Sequence, residues 1–169
     1  GEIRLPRRAP GLVEGQVIDQ PLLGRGNYTD EQAPVKRGFL EAFGSPEYGD
    51  QESGRRELAE DMVAGNNTLT SRVIVNRLWH HVFGRGIVSS MDNFGLLGKE
   101  PTHPELLDHL ATDFTSNGWD MKRTVKQLVM SRAFRSVSDS SEEVSEADPE
   151  NLYLSHFTPR RLDAEAIRD

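Results

Sequence analysis

The sequence contains no cysteine, and this absence excludes several kinds of chemistry. Without thiols, the segment can form no disulfide bond, no thiolate metal site, no cysteine nucleophile and no covalent attachment of c-type haem. Long apolar runs are also missing, and no stretch approaches the roughly 20 residues that a membrane-spanning helix needs. No signal peptide is recognisable, so we expect any export signal to lie outside this segment.

Catalytic motifs are equally scarce. The sequence has no serine nucleophile elbow, no zinc-binding helix, no dinucleotide-binding loop and no carboxylate dyad. A chain of 169 residues with 36% hydrophobic residues is nevertheless sufficient for one globular domain with a core. The sequence therefore favours a function without catalysis and leaves enzymatic activity as an alternative.

Excess charge is confined to one segment. The formal net charge is −7, and residues 138–150 carry six acidic residues and no basic one. The remaining residues hold 21 acids against 20 bases, so bulk charge does not indicate a nucleic-acid-binding protein, and we expect no such partner. Because a segment this polar buries too little apolar surface to become ordered, we interpret residues 136–150 as an acidic flexible linker.

Helical periodicity is the strongest structural signal. Between Thr70, a favourable N-cap residue, and Gly84, a favourable residue for ending a helix, apolar side chains recur at the spacing of one helix face. The β-branched residues 73–75 also suit a strand, but the apolar pattern continues past them and predicts a helix. The recurring positions are Ile74, Val75, Leu78, Trp79 and Val82.

Other segments with caps and helical spacing complete the fold prediction. They are residues 53–64, 102–117, 120–134 and 159–169, with a capping box at Thr102 and Glu105. We predict a mainly α, bundle-like domain of four to six helices, preceded by an irregular arm rich in proline and glycine. The side chains expected to be buried are Leu58, Met62, Met121, Val125 and Leu128, with Leu78, Trp79, Leu107, Leu110 and Trp119 packed together as the core.

The predicted organisation has four parts. Residues 1–49 are an extended arm, residues 50–135 the helical core, residues 136–150 the linker, and residues 151–169 a truncated C-terminal helix of the same domain. Within the arm, residues 12–13 and 16–18 suit short strands. A basic cluster in the arm is interpreted as a solvated tail; its members are Arg4, Arg7 and Arg8.

A candidate site lies on the polar face of the central helix and in the turns after it. Asn76 and His80 are four residues apart, as are Arg77 and His81, so each pair shares one side of the helix. The adjacent histidines point about 100° apart and cannot easily bind one ion, so we predict no metal site. This face is interpreted either as a solvated surface or as a recognition surface for an anionic or polar ligand.

Arg85 stands between Gly84 and Gly86, which allow a sharp turn that holds the guanidinium clear of the backbone. It could grip a carboxylate or phosphate with two hydrogen bonds, or simply lie near the negative end of the helix dipole. The residues assigned to a ligand-binding site are Asn76, Arg77, His80, His81, Arg85, Asp92, Asn93 and His103. The alternative enzyme site would combine Asn76, His80, Arg85, Asp92 and His103.

Several sequence blocks occur in an order that carries a family resemblance. They are SGRRELAEDMV, NRLWHHVFGRGIV, DNFGLLG, PTHPELLDHLA, GWDMKRTVKQLVMS, DPEN and RRLDAEAIRD. Over residues 38–169 the chain resembles the planctomycete-specific C-terminal domain of unknown function of the PSD-one type. Asn67-Thr68 departs from the Asn-Pro that is usual there, and the family domain continues past the last block, so we expect this chain to be a fragment.

The resemblance implies a context and no catalytic residue. The domain usually ends a large exported protein, after a cytochrome-c-like domain, so we expect an extracytoplasmic location, periplasmic or at the cell surface. Any haem would lie on a neighbouring domain, and we expect no cofactor in this segment. The expected partners are other domains of the same polypeptide and a polar or anionic ligand. The hypothesis is a binding or scaffolding domain; the alternatives are an enzyme domain and a domain that docks on the cytochrome and assists electron transfer.

Overall fold

A computed structural model of the chain describes residues 11, 13–44, 47–162 and 164–168. The basic cluster predicted at residues 4–8 and the strand residue predicted at position 12 lie outside these ranges. The fold is mainly helical, as the periodicity predicted. The regular elements are strands β1 (Pro21–Leu23) and β2 (Glu31–Pro34) and helices α1 (Arg55–Met62), α2 (Thr68–Phe83), α3 (Pro104–Ser116), α4 (Met121–Met130), α5 (Glu142–Ala147) and α6 (Ala164–Arg168).

The chain divides into two compact units, Gly1–Asn67 and Thr68–Asp169. The border falls directly before α2, so α1 belongs to the same unit as the N-terminal residues. Among the described residues, no helix is long and apolar enough to cross a membrane. The predicted binding residues all lie in the second unit.

The first unit contains a short antiparallel pair of strands, β1 and β2, with an irregular register between Pro21 and Leu23. The prolines stand at the first position of β1 and the last of β2, where a missing backbone donor costs least. The strand predicted at residues 16–18 was wrong, because residues 13–20 have no regular structure. Strand propensity alone could not locate the pairing.

Helix α1 is shorter than predicted and exposed. Ser53 is not its N-cap, because Gly54 takes that position with a left-handed φ of 81°, and the backbone N–H of Ser53 instead donates to Glu14 at 2.8 Å. Leu58 and Met62, predicted to be buried, are 40% and 47% exposed. The apolar spacing in this helix therefore does not mark a core face within its unit.

Tyr48 is the buried aromatic side chain of the first unit and donates a hydrogen bond from its hydroxyl to Asp61 at 2.8 Å. Burial, this hydrogen bond and the negative charges of Asp61 and Glu57 raise the pKa of Tyr48 from 10 to about 12. Because the folded state disfavours the ionised phenol, its contribution to stability is complete below pH 10 and is lost as the pH rises through about 12.

We therefore expect the absorbance of tyrosinate to show a step near pH 12 that belongs to Tyr48. Tyr48→Phe should remove that step and lower the free energy of unfolding by about 1 kcal/mol near neutral pH, since one hydrogen bond is lost. The measurement is an ultraviolet pH titration of both proteins. If the step persists in Tyr48→Phe, another tyrosine produces it, and the assignment to Tyr48 is wrong.

The second unit is built on α2, which packs against both α3 and α4. Trp79, Leu107 and Leu110 are buried as predicted, and Leu78 and Trp119 are partly buried against them. The core prediction is therefore confirmed for three of its five residues and met in part by the other two. The buried apolar cluster consists of Val75, Trp79, Val82, Phe83, Ile87, Val88, Leu107, Leu110, Phe114 and Leu128.

The predicted N-caps of two helices were wrong. Helix α2 begins at Thr68, two residues before the predicted N-cap Thr70. Helix α3 begins after His103 without a side-chain cap, because the backbone N–H and hydroxyl of Thr102 both donate to the carbonyl of Ile87, at 2.9 and 3.3 Å. Thr102 therefore ties the chain after α2 to the start of α3 and forms no capping box.

Helix α4 turns only part of the predicted face inward, since Leu128 is buried as predicted. It follows the N-cap Asp120, whose carboxylate accepts from the backbone of Arg123 at 3.0 Å. Met121 and Val125 were wrongly placed in the core, since they are 57% and 36% exposed. Thr124 is buried instead, and its hydroxyl donates to the Asp120 carbonyl at 3.0 Å, which satisfies its polar group.

The segment interpreted as a flexible linker contains α5, capped by the hydroxyl of Ser141. The composition of residues 136–150 did not reveal this helix, because its only large apolar side chain is Val144. The C-terminal helix predicted for residues 159–169 is shorter among the described residues, where α6 begins at Ala164.

Candidate functional site

Asn76 joins α2 to the chain that follows it. Its amide nitrogen donates to the carbonyl of Val88 at 3.0 Å, and its amide oxygen accepts from the Val88 N–H at 2.9 Å. The side chain is 0% exposed, so the prediction that Asn76 lies on the solvent-facing polar side of the helix was wrong. Its amide pairs with the backbone as a neighbouring strand would, and serves the fold.

Gly86 is required by the same contact. A Cβ atom at this position would lie 2.5 Å from the Val88 carbonyl oxygen and 2.8 Å from the amide nitrogen of Asn76. Gly84 is also needed, because it ends α2 with a φ of 84°. The two glycines close the turn against Asn76 and leave Arg85 between them at the surface.

Asp92 and Asn93 lie in a structured turn. Arg77 contacts Asp92 at 3.4 Å, but the two side chains are 56% and 94% exposed, so this ion pair is weak. The side-chain oxygen of Asn93 accepts from the Gly95 N–H at 3.0 Å, and its carbonyl accepts from the Ser90 hydroxyl at 2.7 Å. Asn93 therefore shapes the loop.

The two histidines of α2, His80 and His81, contact one another. The rings of His80 and His81 lie 5.7 Å apart and nearly perpendicular. The Nδ1 atom of His80 is buried, and it has no hydrogen-bond partner among the described residues. Within the described part of the chain, no three His, Asp or Glu side chains are placed to hold a metal ion together.

A cavity of about 250 Å³ lies in the second unit, where the end of α2 meets the start of α3 and the chain after α5. Two residues of the predicted site, Arg85 and His103, line it; the other six do not. The remaining lining residues are Trp79, Phe83, Gly84, Gly86, Ile87, Thr102, Glu150, Asn151, Leu152, Leu154, Thr158 and Arg160. The structure thus brings together only part of the predicted set.

The turn that follows α5 forms one wall of this cavity. The carboxylate of Asp148 accepts from the backbone N–H groups of Leu152 and Tyr153, both at 2.8 Å, and these bonds hold the pKa of Asp148 below its ordinary value. The amide of Asn151 donates to the carbonyl of His156 at 2.8 Å. These contacts fix the backbone from which Glu150 and Leu152 reach the cavity.

Charged groups lie beside an aromatic surface in the cavity. Arg85 pairs with Glu150 at 2.9 Å, whereas Arg160 forms no ion pair with any described residue. The rings of Trp79 and Phe83 stack 4.2 Å apart on the apolar side. Two guanidinium groups next to an apolar wall can hold an anionic group together with an apolar body.

His103 lies directly before α3, where its ring contacts two neighbouring side chains. Its Nδ1 atom lies 3.0 Å from the hydroxyl oxygen of Thr102, and its ring meets the edge of Tyr153 at 5.9 Å. The Thr102 hydroxyl donates its proton to the Ile87 carbonyl, so the imidazole can only donate to that oxygen. This arrangement holds the ring in place.

The residues that sequence analysis missed come from distant parts of the chain. Glu150 and Asn151 belong to the Asp-Pro-Glu-Asn sequence, which predicted a turn but not its neighbours. Arg160 is separated from Arg85 by 75 positions in the sequence and had no local pattern to connect them.

Comparison with known proteins gives a family and no activity. A family model described as PSD1, protein of unknown function (DUF1553), matches residues 54–169. This range covers more than half of the chain and includes every residue that lines the cavity. No curated protein and no solved structure matches the chain.

Proposed function

The chain belongs to the PSD1 family of proteins of unknown function (DUF1553), and we propose that residues 68–169 form a binding module for an anionic ligand. The observation that carries this proposal is the cavity in which Arg85, Arg160 and His103 stand around an apolar wall. Arg85 and Arg160 supply donors that suit a carboxylate or phosphate, and the stacked rings of Trp79 and Phe83 supply apolar contact area.

Binding is favoured over catalysis by the state of the polar groups. The Thr102 hydroxyl is used by the Ile87 carbonyl, and the Asp148 carboxylate is used by two backbone N–H groups. Glu150 is neutralised by Arg85. A reaction would need a group that is free to attack or to take a proton, and these three groups instead stabilise the backbone or pair with Arg85.

The proposal includes the context that the family resemblance implies. The module would belong to an exported multidomain protein, act outside the cytoplasm, and serve the other domains of that polypeptide as a binding or scaffolding part. Any haem would be carried by a neighbouring domain. The part of this proposal that the cavity supports is the anion-binding site itself.

Anion binding can be tested by titrating the chain with inorganic phosphate, acetate and N-acetylphenylalanine and following chemical shifts by NMR. We expect Arg85→Gln to weaken binding about tenfold, because one charge-assisted hydrogen-bond donor is removed. Arg160→Gln should weaken it similarly. Both arginines are exposed, so neither change should unfold the protein.

Arg77→Gln is the matched control. Arg77 is an exposed arginine of the predicted polar face, but it does not line the cavity. It should leave binding unchanged. An equal loss in Arg77→Gln would move the site to the polar face of α2, and the absence of binding by all three anions would overturn the proposed function.

A further inference from the structure

Glu150 forms an ion pair with the guanidinium group of Arg85, which an anionic ligand would also need. Its Oε2 atom lies 2.9 Å from Nη1 of Arg85, and the two side chains are 69% and 45% exposed. An ion pair this exposed contributes little to folding, so the fold does not depend on it. A carboxylate from outside could replace that of Glu150 without disturbing the core.

The geometry points to a specific ligand class: we propose that the cavity binds a carboxylate carried on an apolar body, and that Glu150 holds the carboxylate position until the ligand displaces it. This inference rests on the proposed anion-binding function and goes beyond it by naming the ligand chemistry and an internal competitor. The shared chemistry is the same for a free aromatic acid and for the C-terminal carboxylate of a peptide.

The backbone under Glu150 is fixed, whereas its side chain is not. Asp148 accepts two backbone hydrogen bonds from the turn, and the amide of Asn151 reaches the His156 carbonyl. In contrast, the carboxylate of Glu150 has Arg85 as its partner. Displacement therefore needs only a side-chain rotation of Glu150, and the turn that forms the cavity wall stays in place.

The apolar residues that line the cavity determine which apolar body the ligand can carry. Leu152 and Leu154 line the cavity together with the stacked pair of Trp79 and Phe83. A volume of about 250 Å³ suits one ring or a short branched chain. An anion without an apolar body would leave this surface wet and would gain only the contacts to the arginines.

One negative charge suits the cavity better than two. Phe83 and Gly84 bring the C-terminal end of α2 into the lining, and the carbonyl groups there carry partial negative charge. Arg160, which has no ion pair among the described residues, offsets this charge on the same side. A monocarboxylate is therefore favoured over a phosphate dianion.

Four probes separate the contribution of the ligand's negative charge from that of its apolar body. N-acetylphenylalanine has both, N-acetylphenylalanine amide has only the body, and acetate has only the charge; inorganic phosphate tests another anion. Using NMR titration of the full chain, we expect N-acetylphenylalanine to bind at least about tenfold more tightly than each of the other three. Phenylacetate in place of N-acetylphenylalanine shows whether the peptide-like amide adds affinity.

The competitor role is tested by Glu150→Gln, which should tighten N-acetylphenylalanine binding about two- to fivefold. Glu146→Gln is its matched control, because it removes the same charge from exposed α5 without touching the cavity. It should leave affinity unchanged. The gain from Glu150→Gln should also vanish in an Arg85→Gln background, since the competition acts through Arg85.

The outcomes distinguish this inference from the proposed function. If phosphate binds in an Arg85-dependent way and N-acetylphenylalanine does not bind more tightly, the carboxylate class is overturned and anion binding stands. If Glu150→Gln and Glu146→Gln act alike, the internal competitor is overturned. If no probe binds to any variant, the anion-binding function fails, and this inference fails with it.

Discussion

Asn76→Asp is expected to lower the free energy of unfolding of the second unit by about 3–5 kcal/mol near neutral pH. The change keeps the size of the side chain but replaces the donor that serves the Val88 carbonyl at 3.0 Å with an oxygen. Two oxygen atoms would then face each other in a site that is 0% exposed, and a carboxylate would be buried without a positive partner. The loss should be measured by urea denaturation.

Both tryptophans of the chain, Trp79 and Trp119, lie in the second unit, so their fluorescence reports its unfolding. The loss should shrink as the pH is lowered towards about 4, because a protonated carboxyl group can again donate to the Val88 carbonyl. A purely steric effect would show no such pH dependence.

Asn93→Asp is the matched control for this substitution. The side-chain oxygen of Asn93 accepts from the Gly95 N–H at 3.0 Å, and an aspartate retains that acceptor at an exposed position. Its effect should stay within about 0.5 kcal/mol. If Asn76→Asp were equally mild, the amide contact with Val88 would not be what holds the turn after α2.

The error at Asn76 shows where sequence patterns lose information. Its position is three residues before Trp79 and seven before Phe83, so helix geometry places it beside the buried stripe. Classifying residues by polarity alone moved it to the solvent side. The signal that could have corrected this is Gly86, because a second glycine two residues after the cap glycine Gly84 indicates a close approach by another group.

Periodicity was sufficient where burial is continuous along a helix. In α3 the predicted core residues Leu107 and Leu110 are buried, and Phe114 continues the same stripe. It was insufficient in α4, where Thr124 is buried and Met121 is exposed, because the sequence does not show that a hydroxyl can be satisfied by the helix backbone. The presence of each of these two helices was therefore predictable from periodicity. The face that the helix turns towards the core was predictable for α3 but only in part for α4.

Only some of the residues that line the cavity were predictable from the sequence. Arg85 was identified because its flanking glycines are a local signal, and His103 because it precedes a helix. Glu150 and Arg160 reach the same cavity from the far end of the chain, and no local pattern encodes that meeting. The ligand-binding assignment of the polar-face residues that lie outside the cavity stays a prediction.

Trp79→Ala is expected to cost about 3–5 kcal/mol of unfolding free energy, the usual range for removing a core aromatic side chain. Trp79 is 7% exposed, belongs to the buried cluster, and stacks on Phe83 at 4.2 Å with the rings 27° apart. Its removal would lose that stack and open a void beside the cavity. Circular dichroism during urea denaturation is the appropriate measurement, since the substitution removes one fluorophore.

Two further variants serve as controls for the loss of stability expected in Trp79→Ala. Trp79→Phe preserves an aromatic stack and should cost less than half as much, whereas Trp119→Ala removes a partly buried ring that meets Phe114 at 5.2 Å and should cost about 1–2 kcal/mol. A Trp79→Ala loss below about 1 kcal/mol would show that this ring does not support the core. Trp79 would then act at the cavity alone, and its loss should weaken ligand binding without weakening the fold.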